Sequence, residues 1–257
     1  MILAVDVGNT NTRCGIYRGR ELRAWARRRT ELVAAAEYAA MLRAFLEQAG
    51  VGLEELEGMG AACVVSPLVE ILRAVAAEWG KPLVEAGPSA SAGLVLGYRV
   101  PSLLGPDRIA AAVGGVLRVG KPCLVADLGT AVTVDAVSKD GVFLGGAILP
   151  GIGLSLQALH RGTAALPETP WLEPPGTSIG RDTAEGMAAG IYWGLAAAVE
   201  SLAERHRREL GEPAPLVVTG GWAGALLPAL AAPVFHAPNL TLEGLGEIFR
   251  DGRGGSR

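Results

Sequence analysis

The stretch that decides the fold is DVGNTNTR, Asp6–Arg13, which follows the short apolar run Ile2–Val5. A second apolar run, Thr12–Tyr17, comes directly after this turn, and Glu21–Ala26 follows beyond a turn centred on Gly19. Short apolar runs bounded by glycine-containing turns indicate consecutive β-strands. Because a strand follows the first turn where a dinucleotide-binding unit would have a helix, this opening predicts a β-meander.

The same order of elements returns in the second half of the chain. The apolar run Cys123–Ala126 ends at Asp127, and a turn leads into the strand Val132–Val137. After each opening, apolar residues recur at helical spacing, over Glu31–Ala49 in the first half and Ala184–Leu210 in the second. This repetition predicts an α/β fold of two duplicated βββαβα halves with a ligand cleft between them.

The length and composition of the chain agree with two folded halves. It has 257 residues, of which 50% are hydrophobic and 19% are charged, and such a chain can bury a core. We place the halves at residues 1–118 and 119–257, the second with additional material near 147–180. The net charge of −3 argues against broad binding to nucleic acid or to an acidic membrane.

The sequence favours a cytoplasmic location. Its three cysteines are scattered, without the spacing of a disulfide framework. The N-terminus reaches Asp6 without a basic segment, which is unlike a signal peptide. No apolar run has the roughly 18–20 residues that span a bilayer. We therefore expect neither export nor a membrane partner.

Both turns that contain aspartate have the chemistry of a phosphate site. Gly8 lets backbone N–H groups approach an anion. The residues after it supply neutral donors and one cation, which are Asn9, Thr10, Asn11, Thr12 and Arg13. Asp6 suits phosphate when magnesium or an ordered water lies between the two anions. The turn Asp127–Ala131 repeats this arrangement. The alternative is a pair of tight hairpins with ordinary turn residues.

The segment Gly105-Pro106-Asp107-Arg108 opens a helix that is predicted to run to about Val119. Proline suits the first helical position, and the helix dipole favours a carboxylate in the first turn. Asp107 is therefore a candidate general base for an attacking alcohol, with Arg108 beside it to engage an anionic group. The alternative is an ordinary charged helix start.

The segment Gly115–Pro122 reads GVLRVGKP and matches the beginning of a phosphate-binding P-loop. A P-loop requires Ser or Thr after the lysine, to place a hydroxyl on magnesium, and it follows a strand and opens a helix. Pro122 supplies no hydroxyl, and here the predicted helix comes before the segment and the strand after it. We therefore reject this motif.

The long helix of the second half begins with a capping box. Asp182 is the predicted cap and Glu185 follows three residues later, which makes Thr183 a first-turn residue. Glycines then recur every fourth residue and give the helix one smooth face, at Gly186, Gly190 and Gly194. Such a face is typical of close helix packing, within the core or across a dimer.

Taken in order, these segments resemble the type III pantothenate kinases, members of the acetate/sugar kinase–Hsp70–actin superfamily. The resemblance extends over nearly the whole chain, and its collective signal is specific. The segments that carry it are DVGNTNTR from Asp6, GYRVPSLLGPDR from Gly97, DLGTAVTVD from Asp127, GGAILPG from Gly145, TAALP from Thr163, IGRDTAEGMAAGIYWG from Ile179, VVTGG from Val217 and LTLEGL from Leu240. It implies two ribonuclease H-like halves of the actin-like ATPase fold.

The resemblance also implies roles for the matching residues. The loop Asp6–Arg13, which includes Val7, resembles the first ATP-phosphate loop, and Thr130 resembles a second ATP contact. Asp127 is similar to the ligand of an activating monovalent cation, K⁺ or NH4⁺. Asp107 resembles the general base that takes the proton from the primary alcohol of pantothenate. The residues that resemble the substrate pocket are Tyr98, Gly105, Pro106, Asp107, Arg108 and Thr183.

By this resemblance the chain is an ATP-dependent kinase that uses Mg²⁺ and phosphorylates pantothenate to 4'-phosphopantothenate, the first step of coenzyme A biosynthesis. Thr183 would reach the substrate of the neighbouring subunit, which implies a homodimer. Two alternatives stay open. One is a kinase or phosphatase of the same superfamily that acts on another small molecule, and the other is a non-catalytic nucleotide-binding regulator.

Two positions depart from the family pattern. Asp182 stands before Thr183 where the family often has Asn, and this negative charge lies near the expected site of an anionic substrate. Val100 replaces the usual Asn before Pro101, which removes one polar contact. Neither departure changes the candidate base.

Overall fold

The computed structural model describes residues 1–171 and 173–254. The first half of the chain contains six strands and three α-helices. The strands are β1 (Ile2–Val7), β2 (Asn11–Arg18), β3 (Glu21–Arg29), β4 (Gly58–Cys63), β5 (Leu83–Glu85) and β6 (Val95–Leu96). The helices are α1 (Ala35–Gln48), α2 (Ser66–Glu78) and α3 (Pro106–Val119).

The second half repeats the three-strand opening and continues with longer helical segments. Its strands are β7 (Cys123–Leu128), β8 (Ala131–Val137), β9 (Val142–Pro150), β10 (Leu216–Thr219) and β11 (Phe235–His236). Its helices are α4 (Ile152–Gly162), α5 (Thr183–Leu210), α6 (Ala223–Leu226) and α7 (Leu240–Gly254). None of the helices in the described ranges combines the length and the apolar character that a membrane crossing requires.

The strand order confirms the duplicated α/β fold. The first sheet has the order β3-β2-β1-β4-β5, and the second has the order β6-β9-β8-β7-β10-β11, which repeats the first and adds β6 beside β9. In both sheets the first strand runs antiparallel to the second and parallel to the fourth, and the fourth runs parallel to the fifth. Each sheet is therefore a three-strand meander extended by parallel strands, as the βββαβα pattern predicts.

The chain divides into two compact units. Each unit is built from more than one segment, so the boundary between them is not a single position in the sequence. The first unit contains Met1–Arg118, the short segment Gly141–Phe143 and helix α7. The second contains Val119–Asp140 and Leu144–Asn239. Helix α7 belongs to the second half by its position in the sequence, whereas it lies against β1 and β4 of the first sheet.

Close approach of glycines explains why α7 packs in the first unit. A Cβ atom at Gly60 of β4 would lie 2.4 Å from the carbonyl oxygen of Leu245 in α7. Likewise, a Cβ at Gly244 would lie 1.8 Å from the carbonyl oxygen of Ala110, and one at Gly114 would lie 2.3 Å from that of Leu240. Helix α3 is therefore packed directly on α7, the helix that lies against β1.

Each unit has its own apolar core. In the first unit, α1 and α2 cover the sheet with leucines, among them Leu42, Leu68 and Leu72, each at most 1% exposed. Burial of one such side chain stabilises the fold by about 1.5–3 kcal/mol. In the second unit α5 contributes Tyr192 and Val199 to the core formed with β7, β8 and β10. These cores hold the strand ends on which the candidate site residues lie.

Two helices of the structure are shorter than their apolar patterns. The helix predicted over Glu31–Ala49 begins four residues later, at Ala35, because Ala34 is extended and Thr30 holds the first turn. Helix α6 ends at Leu226 and continues as a 3₁₀ turn. Pro228 lacks the N–H that an α-helix would use there.

Candidate active site

The first acidic turn is organised around a buried ion pair. The side chain of Asp6, at the end of β1, accepts hydrogen bonds at Oδ2 from Nε and Nη2 of Arg13, at 3.0 and 2.7 Å. Nη2 of Arg13 also donates to Oγ1 of Thr241 in α7, at 3.3 Å. The register of β1 and β2 places Asp6 opposite Arg13, so the pairing is built into the meander.

Burial dominates the electrostatics of this carboxylate. Asp6 is only 5% exposed, and desolvation raises its pKa. The Arg13 guanidinium opposes this shift, and the nearby charge of Asp107 adds to it. Asp6, Arg13 and Asp107 all belong to the first unit. The charges of Arg13 and Asp107 therefore both act on the Asp6 carboxyl.

The backbone of the first turn is held by Thr30. Its hydroxyl donates to the carbonyl oxygen of Gly8 at 2.7 Å, and it lies 3.1 Å from the hydroxyl of Thr12. The Gly8 N–H donates to the carbonyl oxygen of Asn11 at 3.0 Å. Thr12 is buried and Val7 is fully buried. The predicted ATP-contact side chains that reach the surface are those of Asn9, Thr10 and Asn11.

The second acidic turn is shorter and is set among glycines. Three residues separate Leu128 from its partner Val132, whereas four separate Val7 from Thr12 in the first turn. A Cβ at Gly220, whose φ is +102°, would lie 2.5 Å from Oδ1 of Asp127. The tip of the turn is held by backbone bonds, from the Gly151 N–H to Thr130 and from the Trp222 N–H to Leu128.

The surroundings of Asp127 differ from those of Asp6. In the strand register Asp127 lies opposite Thr133 of β8 and beside Thr219 of β10. Asp127 is partly exposed, and so is Thr130 at the tip of the turn. The hydroxyl of Thr219 is fully buried and has no hydrogen-bond partner within the described ranges. The second turn thus offers a carboxylate and an unsatisfied hydroxyl side by side.

Asp107 lies in the first turn of α3, where the sequence predicts it. Its Oδ1 accepts a hydrogen bond from the Arg108 N–H at 2.9 Å. A Cβ at Gly105 would lie 2.5 Å from the same oxygen, so the glycine makes room for the carboxylate. Pro106 occupies the first helical position, and helix α3 is anchored further along by the Arg118–Glu243 ion pair.

Arg108 is buried among aromatic rings. It is 8% exposed, and its Cζ lies 5.7 Å from the ring centroid of Tyr98 and 5.6 Å from that of Phe143. The structure therefore brings Tyr98 and Arg108 together, as the resemblance implies. Phe143 was not singled out from the sequence, because its proximity to Arg108 arises from strand pairing rather than from a motif.

The start of α5 confirms the predicted cap. Asp182 accepts a hydrogen bond from the Glu185 N–H at 2.8 Å, and the Glu185 side chain accepts one from the Arg181 N–H. Thr183 is the first helical residue and is exposed. The glycine face is exposed as well, and no described atom outside the helix lies within 4 Å of a Cβ built at Gly186, Gly190 or Gly194. This face is not packed in the core of the described chain.

The rejected P-loop segment has the predicted context. Gly115–Val119 forms the end of α3, and β7 begins at Cys123. A helix therefore precedes the GK pair and a strand follows it, which is the reverse of a P-loop. The segment is a connection between two elements.

Comparisons with known proteins identify the family of this chain. Residues 2–205 match the family model described as type III pantothenate kinase. A type III pantothenate kinase from Moorella thermoacetica is 38% identical over 251 residues, which cover 97% of this chain and 98% of that protein. One from Roseiflexus sp. is 37% identical over 256 residues, which cover 98% of this chain and 100% of that protein.

The fold is similar to that of solved structures of lower identity. Component A of the (R)-2-hydroxyglutaryl-CoA dehydratase from Acidaminococcus fermentans matches with a TM-score of 0.60 at 18% identity, over 99% of both chains. This likeness shows the fold alone, which is the actin-like ATPase fold. The family model and the identity to the curated relatives carry the assignment further: this chain belongs to the type III pantothenate kinase family.

Proposed function

We propose that the chain transfers the γ-phosphoryl group of ATP to the primary alcohol of pantothenate with Asp107 as the general base. Membership of the type III pantothenate kinases supports an ATP-dependent kinase of coenzyme A biosynthesis. The observation that carries the assignment of the base is the position of Asp107, which is held in the first turn of α3 by the Arg108 N–H and belongs to the same unit as the Asp6 turn. A phosphate turn and an acceptor site must be close for a phosphoryl group to pass between them.

Asp107 orients the alcohol and accepts its proton as the new O–P bond forms and the bond from the γ-phosphorus to ADP breaks, with ADP as the leaving group. Transition states of phosphoryl transfer are loose, so positioning contributes more than strong base catalysis. The Arg108 N–H and the room left by Gly105 hold the carboxylate in one place. A positioned base of this kind typically accelerates a reaction by about 10²–10⁴-fold.

Each of the two acidic turns offers donors to the phosphates of MgATP. In the first turn, backbone N–H groups and the exposed side chains Asn9, Thr10 and Asn11 are available as donors. Asp6 and Arg13 form the rigid base of this turn. In the second turn, Thr130 is exposed at the tip and contacts the nucleotide. Magnesium arrives with the nucleotide, and its charge offsets the repulsion between phosphate and carboxylate.

The residues around Asp127 are suited to a monovalent cation. Oxygen ligands are what such hard cations prefer. Asp127 supplies a carboxylate, the neighbouring Thr219 has an unsatisfied buried hydroxyl, and Gly220 makes room for the Asp127 carboxylate, since a Cβ there would lie 2.5 Å from Oδ1. Asp127 would hold the ion, and K⁺ or NH4⁺ supplies positive charge that offsets the charge of the phosphates.

Arg108 binds the carboxylate of pantothenate. A guanidinium matches a carboxylate in a bidentate pair, and its low exposure strengthens the attraction. Tyr98 lies against Arg108 and lines the same site together with Gly105 and Pro106. Asp107 and Arg108 are consecutive residues, so the alcohol and the carboxylate of one substrate are recognised by the same helix start.

The chain functions as a homodimer in the cytoplasm. The exposed glycine face of α5 supports a helix interface between two copies, because small residues let helices approach closely. Thr183 at the start of this helix would then reach the substrate of the partner subunit. The free thiols of Cys14, Cys63 and Cys123 support a reducing compartment.

A coupled assay of ADP release tests the proposed function. With pantothenate present, we expect ADP to form at a rate that depends on pantothenate concentration, with 4'-phosphopantothenate as the second product. A nucleotide-binding regulator would show no acceptor-dependent ADP. A different small-molecule kinase would respond to other alcohols, such as sugars, in place of pantothenate. Gel filtration of the active protein tests the dimer in the same preparation.

A further inference from the structure

Phe143 is the second member of the aromatic pair beside Arg108. Tyr98 follows β6, and Phe143 is the second residue of β9. Strands β6 and β9 pair in parallel, with Val95 opposite Val142 and Leu96 opposite Phe143. The Gly97 N–H donates to the carbonyl oxygen of Phe143 at 2.9 Å. This bond fixes the backbone of Phe143 next to the residue that precedes Tyr98.

The two rings and the guanidinium form a compact triangle. The Cζ atom of Arg108 is 5.7 Å from the centroid of Tyr98 and 5.6 Å from that of Phe143. The ring centroids are 6.4 Å apart, with their planes inclined by 57°. The guanidinium therefore lies in a notch between two rings. Phe143 is 0% exposed, so this side of the notch is rigidly packed.

A ring face attracts a guanidinium without accepting one of its N–H groups in an ordinary hydrogen bond. It also restricts the rotamers of a long side chain, so less freedom is lost when a carboxylate binds. We propose that Phe143 is a positioning residue that, with Tyr98, orients the Arg108 guanidinium for the carboxylate of the acceptor substrate. This inference rests on the proposed function, in which Arg108 binds that carboxylate.

The substitution Phe143→Leu removes the ring and keeps an apolar side chain. We expect the KM for pantothenate to rise by about 3- to 30-fold, the range given by cation–π contacts from exposed to desolvated sites. The kcat and the KM for ATP should stay within twofold of the wild type, because neither the base nor the nucleotide site is changed. Phe143→Tyr, which keeps the ring, should restore a KM close to that of the wild type.

Phe249→Leu is the matched control. Phe249 is also a buried phenylalanine of the first unit, and its ring faces Arg253 rather than Arg108. Phe249→Leu should lower the melting temperature as Phe143→Leu does. Its KM for pantothenate should stay within twofold of that of the wild type. This comparison separates an effect on Arg108 from general loosening of the first unit. If Phe143→Leu does not fold, Phe143→Met takes its place in the comparison.

The possible results decide the proposal separately from the proposed function. An unchanged pantothenate KM in Phe143→Leu overturns the positioning role, and so does an equal rise in both substrates' KM values or an equal effect of Phe249→Leu. A rise confined to pantothenate and reversed in Phe143→Tyr supports it. A wild-type protein that releases no pantothenate-dependent ADP refutes the proposed function, and with it the acceptor that Arg108 is meant to hold.

Discussion

The two acidic turns occupy the same place in duplicated meanders, yet their carboxylates have different surroundings. Asp6 is 5% exposed, and the opposite strand supplies Arg13 as its partner. Asp127 is partly exposed, and the corresponding strand position holds Thr133. The first carboxylate is thus neutralised by the protein itself, whereas the second lies beside glycines and an unsatisfied hydroxyl.

This difference shows how equivalent positions of a duplicated fold can acquire different surroundings. The meander fixes a carboxylate at the end of its first strand in both units, because that position follows from the strand order. The residue on the facing strand then differs between the two turns, because it is Arg13 in the first and Thr133 in the second. The roles proposed above, support of the phosphate loop by the first turn and cation binding by the second, follow this difference.

The largest effect on activity should come from substitution of Asp107, the candidate general base. Asp107→Asn removes the proton acceptor but keeps the shape of the side chain. We expect kcat to fall by about 10²–10⁴-fold, with little change in melting temperature and with ATP binding retained. Steady-state kinetics, calorimetric titration with ATP and thermal melting measure the three quantities. Asp140→Asn, at an exposed turn, is the control and should be fully active. A nearly normal kcat in Asp107→Asn would exclude the base.

The second prediction concerns a variant without the ion pair between Arg13 and Asp6, which is found in the first turn and not at the matching position of the second. Arg13→Met leaves the Asp6 carboxylate buried without its guanidinium, and removal of one partner of a buried pair costs about 3–5 kcal/mol of folding free energy. The matching substitution on the second turn, Thr133→Val, should cost less than about 1 kcal/mol. Urea denaturation at pH 7 measures both. Equal losses would show that the two turns are equivalent.

The same variant should change the pH dependence of stability. Burial already raises the pKa of Asp6, and Arg13 opposes the shift, so removal of Arg13 raises this pKa further. A raised carboxyl pKa means that the folded state binds more protons than the unfolded state. The stabilisation that protonation of Asp6 gives is therefore fully present at pH values below the pKa of this residue in the unfolded state. It is lost as the pH rises through the pKa of Asp6 in the folded state. Arg13→Met should regain stability on acidification relative to the wild type, and a constant difference across pH would contradict this.

The meanders were predictable because their signals are local. Apolar runs ending at glycine turns predicted β1 and β2, whose observed ends at Val7 and Arg18 lie within two residues of the prediction. Strand β3 extends three residues further than predicted, to Arg29. The candidate base and the cap at Asp182 were likewise visible, since each depends on residues within one helical turn. The motif residues themselves stay predictions until activity is measured.

The contacts between distant segments were not predictable in the same way. The packing of α7 on α3 depends on Gly114 and Gly244, which no local pattern connects. The ion pair of Asp6 and Arg13 needs the exact register of two strands. Phe143 reaches Arg108 only because β9 pairs with β6. Each of these depends on tertiary packing, where spacing along the chain carries no information.

The third prediction compares a glycine at each turn. A Cβ at Gly220 would lie 2.5 Å from backbone atoms of Leu128 and from Oδ1 of Asp127, and its φ of +102° is strained for other residues. A Cβ at Gly8 would meet the carbonyl oxygen of Asn11 at 3.1 Å. Gly220→Ala should therefore cost about 1–3 kcal/mol, and Gly8→Ala about 1 kcal/mol or less. Urea denaturation ranks them, and the reverse order would contradict the close packing of the second turn.

The last prediction separates the two carboxylates by their response to a monovalent cation. Asp127→Asn removes a charge from the proposed cation site, and one such contact near water is worth about 1 kcal/mol. We expect the KCl concentration for half-maximal rate to rise about fivefold, which is the same free energy expressed as an affinity. Choline chloride keeps the ionic strength constant during the titration. Asp6→Asn should leave this concentration unchanged whatever its effect on the rate, because Asp6 is bound by Arg13. If Asp6→Asn shifts it and Asp127→Asn does not, the tasks assigned to the two turns are reversed.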